Sequence, residues 1–166
     1  MRLAMDTDAL IKITKSSLKD LVASSFALVL PEAVRVECVD QGKEGGHPDA
    51  LRIEENIREG RLSVLRARPG ARSERRVRDL GLTGGEADVL RLHGGGGVDA
   101  VVSDDRRFLQ VLEALGIPFA TPSSLLVALA RRRRLPRAQA LSYLEKLSPL
   151  ISEEEYLEAK AAIVEA

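Results

Sequence analysis

Aromatic side chains are scarce: three Phe, two Tyr and no Trp among 166 residues. The core must therefore be aliphatic, and RNA-binding modules that stack bases on aromatic platforms are disfavoured. Cysteine occurs once, at Cys38, which excludes an internal disulfide and a cysteine-based metal cluster. That residue reads as a small buried apolar group. The two histidines, His47 and His93, lie far apart in Gly-rich surroundings, which argues against a His-rich zinc site. Any metal would have to be held by oxygen. Net charge is missing too, because 25 Lys and Arg balance 25 Asp and Glu, so the global charge points to no particular partner. No apolar run is long enough to span a bilayer. The opening "MRLAMDTDAL" is too short and too quickly charged for a signal peptide. The expectation is a cytoplasmic protein with no membrane contact.

What is present fits one globular domain: 45% hydrophobic and 30% charged residues, in a chain long enough for a sizeable core. Short strands are expected at 2–5, 26–30, 61–67, 98–103 and 117–121, each an apolar run of the kind buried in a parallel sheet. Helical spacing appears over 8–22, broken by Ser16–Ser17, and again over 31–42, 49–60, 105–116, 122–135 and 137–164. Thr83 stands three residues before Glu86, a capping-box spacing that starts a helix running to Gly94. Residues 42–48 and the Arg-rich stretch 68–82 read as connections. Strand and helix alternate five times, so the expected architecture is α/β: a three-layer α/β/α sandwich around a mostly parallel, about five-stranded sheet. Residues 1–135 form its body, and residues 136–166 a helical extension packing on it.

The charges are locally uneven. Arg61, Arg66, Arg68, Arg72, Arg75, Arg76 and Arg78 fall close together, and Arg131 to Arg134 form a second run; both suit a solvated face or phosphate contact. The acids follow strand ends. Asp6 and Asp8 follow the first strand, Glu37 lies in the helix after the second, Glu86 and Asp88 open the helix before the fourth, and Asp104 and Asp105 follow the fourth. Ligands of open parallel sheets bind beyond those carboxyl ends. The stretch "VVSDDRRFL" places two adjacent carboxylates where a buried strand ends, which costs stability unless a cation offsets the repulsion. Carboxylates without His or Cys suit Mg²⁺ or Mn²⁺, which can activate water and stabilise a phosphodiester transition state.

Four segments resemble, in order, the motifs of PIN-domain ribonucleases: "MDTDALI", "LPEAVRVE", "GGEADVL" and "VVSDDRRFLQVLEALGIP". The tail from "PSSLLVALARRRRL" to "ISEEEYLEA" is similar to a toxin-like PIN branch with a helical C-terminal extension. The resemblance implies catalytic roles for Asp6, Glu37, Glu86 and Asp105, with Asp6, Glu86, Asp104 and Asp105 on the metal. It implies that Thr7 and Ser103 orient those carboxylates; Arg106 and Arg107, beside them in the sequence, suit contact with RNA phosphate. The implied reaction is Mg²⁺- or Mn²⁺-dependent hydrolysis of RNA phosphodiesters, in a homodimeric toxin with an antitoxin partner. Asp8 departs from the pattern, where relatives carry Ser or Asn.

Other readings of the same residues stand beside this one. Asp6, Asp8 and Asp104 suit helix N-caps, and Glu37 suits a helix surface. Arg106 and Arg107 suit pairing with Asp104 or Glu86. "DTDAL" and "VVSDD" also fit a haloacid-dehalogenase-type phosphatase, with Asp6 as nucleophile and Asp8 as acid/base, although no matching Ser/Thr and Lys motifs lie between them. A non-enzymatic alternative is a catalytically inactive PIN-like scaffold that binds RNA or a protein.

Overall fold

The computed structural model describes residues 1–68 and 70–166. Five strands form one sheet in the order β3-β2-β1-β4-β5, and every pairing is parallel. They are β1 (Arg2–Met5), β2 (Ala27–Pro31), β3 (Leu62–Leu65), β4 (Ala100–Val102) and β5 (Phe119–Ala120). The chain runs outward from β1 through β2 to β3, then crosses to the other side of β1 for β4 and β5. The order therefore reverses between β1 and β4, and this is where open α/β sheets leave a crevice beyond the strand ends.

Side-chain alternation along the strands builds the two cores. Leu3 and Met5 of β1, Leu28 and Leu30 of β2 and Val102 of β4 face one layer of helices. That layer holds α1 (Thr7–Lys15), α2 (Lys19–Ser25), α5 (Pro48–Arg58), α9 (Pro122–Arg131), α10 (Arg137–Leu147) and α11 (Glu153–Val164). Ala4, Val29 and Val101 face the opposite layer, made of α6 (Ala71–Asp79), α7 (Gly84–Gly94) and α8 (Arg106–Ala114). This is the expected three-layer α/β/α sandwich around a five-stranded parallel sheet. Ser16 and Ser17 separate α1 from α2 as expected; Ser17 turns the chain with φ +61°, in the left-handed region.

Four local expectations are corrected. The helix after β2 does not close at Gly42. It runs as α3 (Glu32–Arg35), a π-helical segment (Val36–Gln41) and α4 (Gly42–Glu44), so part of the expected 42–48 loop is helical. Helix α6 fills much of the arginine-rich stretch expected to be a plain connection over 68–82; Pro69 of that stretch lies outside the described residues. Only Ser73 and Val77 of α6 are buried, one turn apart on a single narrow stripe. The Thr83–Glu86 capping box does not form. Thr83 is the N-cap of α7 but makes no side-chain cap bond, and Gly84 begins the helix at φ +54°. Finally, Asp105, not Asp104, is the N-cap of α8.

Candidate acidic site

Main-chain pairing brings the first acids together. Met5 of β1 is in register with Val102 of β4, and the Asp6 N–H donates to the Val102 carbonyl at 3.0 Å. Asp6 and Ser103 therefore stand side by side past the strand ends, on the crevice between β1 and β4. Asp6 also starts α1, its Oδ1 accepting the Ala9 N–H at 2.7 Å. It is buried. Burial raises its carboxyl pKa from 3.8 to about 7; Asp104 and Asp8 add to the rise, while the Ser103 hydroxyl and the Ala9 amide oppose it.

The acids of β4 are held separately. Lys12 of α1 forms an ion pair with Asp104, whose side chain is only 7% exposed. The cation that offsets the paired charges of "VVSDDRRFL" is thus supplied by the chain itself. Asp105 turns away into α8: its Oδ1 accepts the Phe108 N–H at 2.7 Å, and its own N–H donates to Ser103 Oγ at 3.2 Å. Ser103 is therefore shared between Asp6 and the Asp105 backbone.

Glu37 reaches the region through Thr7, whose hydroxyl donates to Glu37 Oε2. Two glycines at the start of α7 make room for it. A Cβ on Gly84 would lie 3.0 Å from Glu37 Oε1, and one on Gly85 would lie 2.9 Å from Val34 Cγ2 and 3.7 Å from Glu37 Oε2. Because Val34 is fully buried, Gly85→Ala should displace α7 and lower stability by about 1–3 kcal/mol, read as a shift of the urea midpoint. Glu86, in the first turn of α7, faces Asp105; burial and then Asp105 raise its pKa, and Arg107 lowers it. Of the two arginines expected at RNA, Arg106 is paired with Glu154 of α11 at 3.3 Å, and Arg107 is exposed beside Glu86. Cys38 is buried, and burial followed by Glu37 pushes its thiol up to about 12. It stays neutral, as expected for a packing residue.

A family model for the PIN domain matches residues 2–163. The chain belongs to the PIN-domain family. No curated protein matches it. The matched region takes in every acid named above, so the ordered motifs and the fold agree on the family.

The carboxylates of this PIN domain do not fit a shared metal ion as they are arranged. Among the described residues, no three His, Cys, Asp or Glu side chains are grouped so that one ion could join them. Four of the acids are instead each held by a donor of the protein. Asp104 has the Lys12 ammonium, Glu37 the Thr7 hydroxyl, and Asp6 and Asp105 the amides of Ala9 and Phe108. The acids converge on one edge of the sheet, but as separate neighbouring groups and not as the single anionic cluster expected. Lys12 is the member of this constellation that sequence reasoning missed. Its partner is 92 residues away, and no local spacing signals it.

Proposed function

We propose that this PIN domain acts as a catalytically silent scaffold that binds single-stranded or structured RNA. The observation that carries the reading is the donor set: Asp6, Glu37, Asp104 and Asp105 are each held by a donor from within the protein. RNA is favoured as the partner by arginines that remain available. Arg66, Arg68, Arg72, Arg78 and Arg107 are exposed and make no ion pair among the described residues, and exposed arginines suit phosphate contact.

A second reading is a Mg²⁺- or Mn²⁺-dependent endoribonuclease, working as a homodimeric toxin with an antitoxin. One observation favours it. Asp6 is a buried carboxyl held near neutrality partly by Asp104 and Asp8, and such a group gains from an added cation. Lys12 and the dispersed carboxylates weigh against it.

A labelled single-stranded RNA separates the two. The scaffold binds it in EDTA and leaves it intact in Mn²⁺. Its log affinity falls with log salt by about 0.7 per phosphate contact, so Arg72→Ala, Arg78→Ala and Arg107→Ala together should reduce that slope by about 2. Mn²⁺-dependent cleavage that disappears in Asp6→Asn would establish the nuclease reading instead.

A further inference from the structure

We propose that Lys12 is the resident cation of the acidic crevice: its ammonium stands at Asp104 in the place of a divalent ion, and it must leave before such an ion binds. The inference deepens the scaffold reading, since it rests on the acids being balanced by the protein itself.

Asp104 is an acid whose mostly buried side chain calls for a cation. Its side chain is 7% exposed, and a carboxylate so buried is strongly unfavourable unless paired. Among the described residues Lys12 is its ion-pair partner, and the other cations nearby do not pair with it. Lys15 of α1 pairs with Asp49 at 3.7 Å, Arg106 pairs with Glu154, and Arg107 lies beside Glu86. Three carboxylates, Asp6, Asp8 and Asp104, interact electrostatically at this point, and Lys12 brings one positive charge to them. A divalent ion would bring two, and at Asp104 Oδ2 it would compete with the ammonium that already holds that oxygen.

Lysine also suits a cation that can be displaced. Its charge sits on a flexible stem with rotatable donors, unlike the fixed fork of arginine. The Lys12 side chain is 26% exposed, so its head has a path to solvent without disturbing the α1 core formed by Leu10 and Ile13. Methionine in its place keeps the apolar stem and removes the charge.

The test is a thermal-melt titration with MnCl2 on the full chain, comparing wild type, Lys12→Met and Lys12→Arg. Lys12→Met should melt lower than wild type without metal. It should recover about 5 °C or more at saturating Mn²⁺, with an apparent Kd at least about tenfold below that of wild type. Lys12→Arg, which keeps the charge, should stay within about threefold of wild type. Adding Asp104→Asn to Lys12→Met should erase the Mn²⁺ response. Equal Mn²⁺ affinity in wild type and Lys12→Met overturns the inference. A Lys12→Met chain that stays unfolded even with Mn²⁺ overturns it as well, because the ion then fails to replace the ammonium. RNA cleavage by wild type would sink the scaffold reading alone, because the ratio of Mn²⁺ affinities decides the role of Lys12 independently.

Discussion

Asp6→Asn should stabilise the folded chain at pH 8 by on the order of 4 kcal/mol and flatten its pH profile. Folding raises the Asp6 pKa from 3.8 to about 7, so the native state resists losing this proton. Below pH 3.8 both folded and unfolded chains hold it, and the residue has no effect on the balance. As pH rises towards 7 the unfolded chain releases the proton and the native chain does not, so stability falls. Above 7 the native carboxylate is charged and the loss is complete. Asparagine cannot ionise, and its side-chain oxygen can still accept the Ala9 N–H that Asp6 Oδ1 holds at 2.7 Å, so the helix cap survives. Asp6→Ala removes the same charge but also the cap, worth about 1 kcal/mol, and should fall short of Asp6→Asn by that amount. Denaturant midpoints at pH 4.5 and pH 8 check this: the gap between Asp6→Asn and wild type should be about 1 kcal/mol at pH 4.5 and widen to its full size at pH 8. Identical midpoints at pH 8 would mean that the carboxylate is not strained by burial.

This cost bears on function. A carboxylate that lowers stability at neutral pH stands out against the amide or hydroxyl that would cap α1 without penalty, and groups with such perturbed pKa values concentrate at working sites. Lys12 does not remove the cost, because it pairs with Asp104 and not with Asp6.

The sheet was legible because its strands are short apolar runs closed by polar or turn-forming residues. Leu28 to Leu30 and Ala100 to Val102 are buried on both faces, so neither could be mistaken for an exposed segment. The convergence of Asp6 with Ser103 and Asp104 was legible as well, since strand ends in a parallel sheet share one edge. Three features were not. Helix α6 buries too little apolar surface for its periodicity to emerge from its arginines. Asp104 and Asp105 differ by one position, and which of them caps α8 is settled by the turn after Ser103, where the Asp105 N–H bonds back to the Ser103 hydroxyl. Whether several acids form one cluster or several satisfied pairs depends on donors from distant segments, Lys12 to Asp104 above all. The acids themselves are visible in the sequence, but the groups that neutralise them are not.

A chain ending at residue 135 should fail to fold. Helices α10 and α11 lie against α9, and α10 also touches α1, so the extension closes one face of the sandwich. Leu144, Leu147 and Ile163 are fully buried, as is Ala140, and Ala159 nearly so. Burying a large aliphatic side chain contributes about 1.5–3 kcal/mol, so these three alone account for roughly 5–9 kcal/mol. A domain of this kind is stable by only about 5–15 kcal/mol. Truncation would also bare Leu125, Leu126 and Leu129 of α9, now at most 2% exposed, and aggregation should follow. The loss would reach the acidic edge too, because Glu154 and Glu155 of α11 hold Arg106 and Ser123. Urea unfolding followed by circular dichroism decides the matter, and a soluble 1–135 fragment with a cooperative transition would show that the extension is dispensable. Leu144→Ala in the full chain gives the graded version: a loss of about 2–5 kcal/mol, with the RNA-binding salt slope unchanged, since this residue lies in the core and carries no charge.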